Sequence, residues 1–178
     1  MPVSFASFHD NLVADMQADL PPAEERPDAL LCFAAGDEPE AFSPYRLTDE
    51  GTNEKQFRDL GITDALGGMG IDGLSTDDRG QMDHETMLEV DPNSILLCGH
   101  ETERRGEFEQ TVLAFMRDHG VAAELRAVQG GRVFRGGPIY VGPLQHLFLV
   151  ERFAKRYVLG TYSGDLFDRD ELAGIVTG

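Results

Sequence analysis

Apolar residues recur at helical spacing through Phe5, Phe8, Leu12, Met16 and Leu20, which predicts an amphipathic helix ending before Pro21 and Pro22. A charged linker from Pro22 to Pro27 follows. The unbroken apolar run Ala29 to Ala35, closed by Gly36, then predicts a buried strand. Asp37 to Gly51 reads as a polar loop. Thr52 is placed to cap a helix from Asn53 to Leu60, with Gly61 in the C-terminal glycine position. Gly67, Gly68, Gly70 and Gly73 mark an irregular stretch. Asp83 is placed to cap a helix over 84–90 that Pro92 closes, and Ser94 to Cys98 predicts a second buried strand. Phe108, Val112, Phe115, Met116 and His119 share one helical face. Ala127 to Phe134 predicts two short strands about a turn at Gly130 and Gly131. Beyond a loop from Arg135 to Pro143, the pattern predicts a helix through Leu147, Phe148, Glu151, Ala154 and Val158. Asp168 and Glu171 have the spacing of a capping box at the start of a last helix.

Strands alternating with helices, where the strands are continuously apolar, imply an α/β fold: an open, mostly parallel sheet with helices on both faces. Residues 1–26 read as a helix and linker leading into the domain, and residues 27–178 as a single α/β domain. In such sheets ligands sit at the C-terminal ends of the strands, so the loops over 36–53, 99–104 and 135–143 are expected on one rim.

Charge narrows the function. Fifteen basic residues against 32 acidic ones leave a net charge of −17, which repels nucleic acid and anionic lipid. Only Lys55 and Lys155 are lysines; the other thirteen basic residues are arginines, and the dense carboxylate surface reads as adaptation to high salt. Cys32 and Cys98 sit inside apolar runs without a CxxC pair, so they read as buried thiols. No apolar stretch reaches the roughly twenty residues a membrane span needs, and no basic segment followed by an apolar one suggests a leader; a cytoplasmic location is one expectation. A GxSxG elbow, a Cys-His pair and a P-loop are all lacking, and the glycines of Gly67 to Gly70 do not open a helix that would cradle phosphate. The chain is therefore not expected to be an enzyme. His100 to Arg104 is not an HExxH motif, and neither a metal site nor a cofactor is expected.

One ordered set of segments carries more specific information. It comprises Ser43-Pro44-Tyr45-Arg46 with Gly51-Thr52-Asn53, Gly73 to Thr76, Asp83 to Pro92, the Ile95 to Cys98 strand, Gly99-His100-Glu101, and Ala127 to Phe134. In this order they resemble the C-terminal lobe of class III periplasmic-type binding proteins, the ferric-siderophore and cobalamin group, in their haloarchaeal form. The resemblance spans Pro27 to Gly178. It implies a solute-binding lobe of an ABC importer, working with a permease and an ATPase at the extracytoplasmic surface. It also implies that the amino-terminal lobe is missing here, with residues 1–20 as the tail of the connecting helix. The expected ligand is a ferric siderophore or a cobalamin-like chelate.

Such a bulky ligand with polar or anionic edges calls for aromatic walls and arginines. Tyr45, Arg46, Arg135 and Tyr140 are the expected contacts, with Phe42, His100 and Glu101 beside them. Phe42 and Tyr45 have a second reading as anchors pinning the loop to the sheet, Arg46 as a surface partner of Asp49 or Glu50, and His100 and Glu101 as loop-fixing residues. His9, His84, His119 and His146 read as surface or packing residues. The resemblance makes Glu85 a docking carboxylate for a permease arginine; the bland alternative is a glutamate that complements the helix dipole. Two other functions compete: a free-standing lobe that pairs with a copy of itself through the Phe5, Phe8 and Leu12 stripe, and a small α/β enzyme using the rim.

Overall fold

The computed structural model describes residues 4–34, 36–45, 52–67, 80–98, 105–137, 147, 151 and 168–177. In chain order the elements are α1 (Phe5–Ala18), β1 (Asp28–Ala34), β2 (Phe42–Pro44), α2 (Thr52–Asp59), β3 (Thr63–Asp64), α3 (His84–Val90), β4 (Ser94–Cys98), α4 (Arg105–Gln110), α5 (Val112–Asp118), α6 (Arg126–Gln129), β5 (Val133–Gly137) and α7 (Arg169–Thr177). They form two compact units, one of residues 1–26, 52–62 and 141–178, the other of residues 27–51 and 63–140.

The second unit holds the sheet. Its strands run in the order β2-β1-β4-β5, and β3 also pairs with β1. All pairings are parallel except β1 with β2. β4 occupies one edge of β1, so β2 and β3 share the other, β3 beside Asp28 and Ala29 and β2 beside Cys32 to Ala34. Every residue of the central strand β4 is buried, which is why its sequence is continuously apolar after Ser94. Strand alternation sorts the side chains into two faces. Leu30, Cys32, Ala34, Ile95, Leu97 and Val133 share one face and join a core with Met87, Val112, Met116, Leu125 and Ala127 from the helical segments. Leu31 and Leu96, both buried, lie on the other.

α3 follows the sequence reading closely. The Asp83 side chain accepts the Thr86 N–H at 2.8 Å as an N-cap, and the helix closes at Asp91, just ahead of Pro92. Asp91 has a left-handed backbone, φ 40°, unusual for a residue other than glycine. Arg126 holds it there: its backbone N–H reaches Asp91 Oδ1 at 2.9 Å, and its Nε reaches Oδ2 at 2.8 Å.

Three segments depart from expectation. The single face expected from Phe108 to His119 belongs to two helices, broken at Thr111, whose hydroxyl donates back to the Glu107 carbonyl at 2.8 Å. The loop expected over 37–51 contains the short strand β2. The two strands expected over 127–134 are instead the helical turn α6 followed by the single strand β5. The reason lies in the glycines. Gly131 has φ +65°, its N–H bonds to the Val128 carbonyl at 3.1 Å, and the Arg132 N–H bonds to the Ala127 carbonyl at 2.7 Å. That pair of bonds is a Schellman cap, so the left-handed glycine ends a helix here and does not turn a hairpin.

In the first unit, Ser4 caps α1 by accepting the Ser7 N–H at 3.2 Å. Asp168 caps α7 by accepting the N–H groups of Asp170 at 2.7 Å and Glu171 at 3.1 Å. Phe8 of α1, Leu172 of α7 and the helical residue Leu147 form a small core, flanked by Phe5, Leu12 and Ile175. The segment expected to be a connecting helix and linker thus groups with residues 52–62 and 141–178. Among the described residues, no helix is long and apolar enough to cross a membrane.

Candidate functional site

The parallel strands β1, β4 and β5 end at one edge of the sheet, where an open α/β fold receives its ligand. Arg135 lies near this edge, opposite Leu97 and on the face of the main core. Tyr45 lies elsewhere. Because β2 is antiparallel, it carries the chain back from Phe42 beside Ala34 toward the middle of β1, where the Tyr45 N–H bonds to the Leu31 carbonyl at 2.9 Å. Alternation along β2 then puts Tyr45 on the Leu31 face, opposite to the face of Arg135. The register therefore does not bring Tyr45 and Arg135 together. Phe42 is wholly buried, in the main core. Glu85 is exposed in the first turn of α3. Arg46, His100, Glu101 and Tyr140 lie outside the described residues.

Two features went unnoticed in the sequence. Phe33 is 40% exposed on β1, on the same face as Tyr45, although its apolar run suggested a fully buried strand. The second is a cluster of imidazoles. His84, first residue of α3, is buried and stacks on His119 with ring centroids 4.1 Å apart and planes tilted by 31°. Phe42 meets His84 edge-on at 5.0 Å, and Phe115 lies 5.6 Å from His119. The exposed Glu40 sits beside them, its carboxylate 3.8 Å from His119 Nε2. No short motif signals this grouping, since its members come from the loop after β1, the start of α3 and the end of α5.

The hydrogen bonds define the state of each ring. His84 Nε2 is 3.0 Å from the Pro39 carbonyl, which accepts only, so Nε2 carries the proton. His84 Nδ1 is buried with no hydrogen-bond partner. His119 Nδ1 accepts the Ala122 N–H at 3.3 Å, which places the proton of the neutral ring on Nε2, toward Glu40. Burial, and then the neighbouring His119, hold His84 below the usual histidine pKa, against the opposing pull of the Pro39 carbonyl, Glu40 and Glu85.

A pH dependence follows. The unfolded chain takes up a proton at His84 near the ordinary value of about 6.5, whereas the folded chain resists it to lower pH. The contribution of His84 to stability is therefore complete above about pH 6.5 and shrinks as pH falls toward the depressed folded value. Urea denaturation at a series of pH values from about 7 to about 5 should show stability falling, with a shallower fall in His84→Gln. Equal slopes in the two proteins would exclude His84 as a contributor.

No protein-family model matches the chain, and no curated protein matches it. Solved structures do. The fold is shared with one part of solved periplasmic binding proteins. A TroA-like periplasmic binding protein, FepB from Veillonella parvula, matches with a TM-score of 0.61 and 14% identity over 94% of this chain and 49% of that one. A second periplasmic binding protein from Veillonella parvula matches with a TM-score of 0.60 and 17% identity, over 84% of this chain and 48% of that one. The triscatecholate siderophore-binding protein FeuA from Bacillus subtilis, solved with ferri-bacillibactin, matches with a TM-score of 0.58 and 13% identity, over 84% and 50%. The chain thus spans about half the length of these structures.

Proposed function

We propose that the chain is one lobe of the solute-binding component of an ABC importer for a ferric siderophore or a related metal chelate. The observation that carries this reading is the fold: nearly the whole chain superposes on about half of proteins whose names describe siderophore or periplasmic binding. In this reading residues 27–178 are the lobe and residues 1–26 the connecting helix. In this reading Arg135, near the C-terminal edge of the sheet, meets an anionic edge of the ligand, with His100, Glu101 and Tyr140 as further proposed contacts. Arg46 is a further proposed contact, whereas Tyr45, on the opposite sheet face from Arg135, and the buried Phe42 pin the loop to the sheet. Glu85, exposed at the start of α3, is the docking carboxylate for a permease arginine. The ligand is cargo, so no resident cofactor is part of this reading.

The test is a titration of the chain with a ferric hydroxamate in concentrated salt, followed by tyrosine fluorescence, which is uncluttered because the chain has four tyrosines and no tryptophan. Saturable quenching is the expected result. Arg135→Ala should weaken binding about tenfold, the loss of one charge-assisted hydrogen bond. A flat titration, both for this chain and for a two-lobe protein rebuilt around it, removes the proposal.

A further inference from the structure

We propose that Glu40, His84 and His119 form a binding site for a divalent transition ion of the kind that prefers imidazole and carboxylate ligands, such as zinc. One ligating atom from each of the three residues lies within 4.8 Å of the others. Two histidines and a glutamate are a donor set suited to zinc, leaving a fourth position for water. This site is independent of the chelate-binding reading, because it would take a bare ion through its own side chains.

The strongest support is the state of His84. Its Nε2–H is given to the Pro39 carbonyl, the backbone contact that commonly orients a metal-bound histidine and fixes its tautomer. The remaining nitrogen, Nδ1, is buried without a hydrogen-bond partner and offers a lone pair. A buried acceptor left unpaired is costly, and a bound cation would relieve that cost.

His119 and Glu40 supply the adjustable side of the site. Two imidazoles on one tetrahedral ion place their ring centroids about 5 Å apart, given metal–nitrogen bonds of about 2.1 Å. The stacked rings at 4.1 Å must therefore part slightly. His119 is the ring to move, since it is half-buried just past the end of α5 and His84 is packed against Phe42. Ligation through His119 Nε2 transfers its proton to Nδ1 and gives up the 3.3 Å bond from Ala122, with no net change in protonation. The Glu40 carboxylate, already 3.8 Å from Nε2, completes the set and ties the loop after β1 to α3 and α5.

Cobalt(II) reports the geometry directly, because a four-coordinate or five-coordinate ion absorbs visible light far more strongly than the hydrated ion. The full chain, stripped with a chelator and held in concentrated salt, should gain such absorption to one equivalent of cobalt(II) and lose it on addition of zinc. Glu40→Gln and His119→Gln should each weaken binding at least about tenfold. Both side chains reach the surface, so these variants should keep the far-UV circular dichroism of the parent. Glu38→Gln, at an exposed position in the same loop, should bind as the parent does. Only the weak spectrum of a hydrated ion, or equal affinity in the parent, Glu40→Gln and His119→Gln, overturns the proposal and leaves scattered surface carboxylates as the binders.

Discussion

Leu97→Ala lowers the stability of the chain by about 3 kcal/mol, within the range of about 2–5 for leucine truncations in a packed core. Leu97 is fully buried in β4, paired with Cys32 of β1 on one side and Arg135 of β5 on the other. Its side chain belongs to the core that joins the sheet to the helical segments of the second unit. Truncation removes apolar burial and leaves a cavity, because strands held on both sides cannot close over it. Val176→Ala is the matched control, since Val176 is 54% exposed near the end of α7 and should shift stability by no more than about 0.5 kcal/mol. Urea denaturation followed by far-UV circular dichroism measures both. A loss below about 1 kcal/mol at Leu97 would mean that this face of the sheet is loosely packed.

The parts of this fold that could be read from the sequence are those decided locally. Asp83 caps α3 because a short acidic side chain three residues before the Thr86 N–H can satisfy it without help from the rest of the fold. The run at β4 is apolar after Ser94 because every residue of that strand is buried, and that pattern is visible without knowing its partners. Other features depend on distant residues. A left-handed glycine serves a hairpin turn and a helix cap equally well, and only the bonds from the Gly131 N–H to the Val128 carbonyl and from the Arg132 N–H to the Ala127 carbonyl decide for the cap. β2 has only three residues, and it is a strand solely because β1 offers an edge.

The candidate site was less legible for the same reason. Tyr45 and Arg135 have suitable chemistry, but their faces are set by register, which no local pattern around them reveals. His84 and His119 looked like ordinary helical histidines because each was judged within its own segment. Their stacking needs α3 and α5 packed on the same sheet face, and the unpaired Nδ1 follows only once Pro39 has taken the proton on the other nitrogen.

Gly61→Ala should cost about 2–3 kcal/mol, more than the same change at any other glycine of positive φ among the described residues. Gly61 closes α2 with φ +64°, so a side chain there meets the left-handed penalty of about 1–2 kcal/mol. Space adds to it: a new Cβ would come within 2.6 Å of Leu20 Cδ1 and 3.2 Å of Arg26 Cδ. The leucine tip can rotate away. The arginine is less free, since its Nε donates to the Pro21 carbonyl at 2.9 Å and anchors the turn after α1. Gly131→Ala separates the two effects, because Gly131 shares the positive φ, at +65°, but has nothing within 4 Å of its would-be Cβ. It should lose only the backbone part, about 1–2 kcal/mol. Gly120→Ala, with neither a positive φ nor a close neighbour, should be close to neutral. Urea denaturation of the three variants should therefore rank them Gly61, Gly131, Gly120 in order of loss. Equal losses at Gly61 and Gly131 would show that Leu20 and Arg26 give way freely, and that backbone conformation alone requires the glycine.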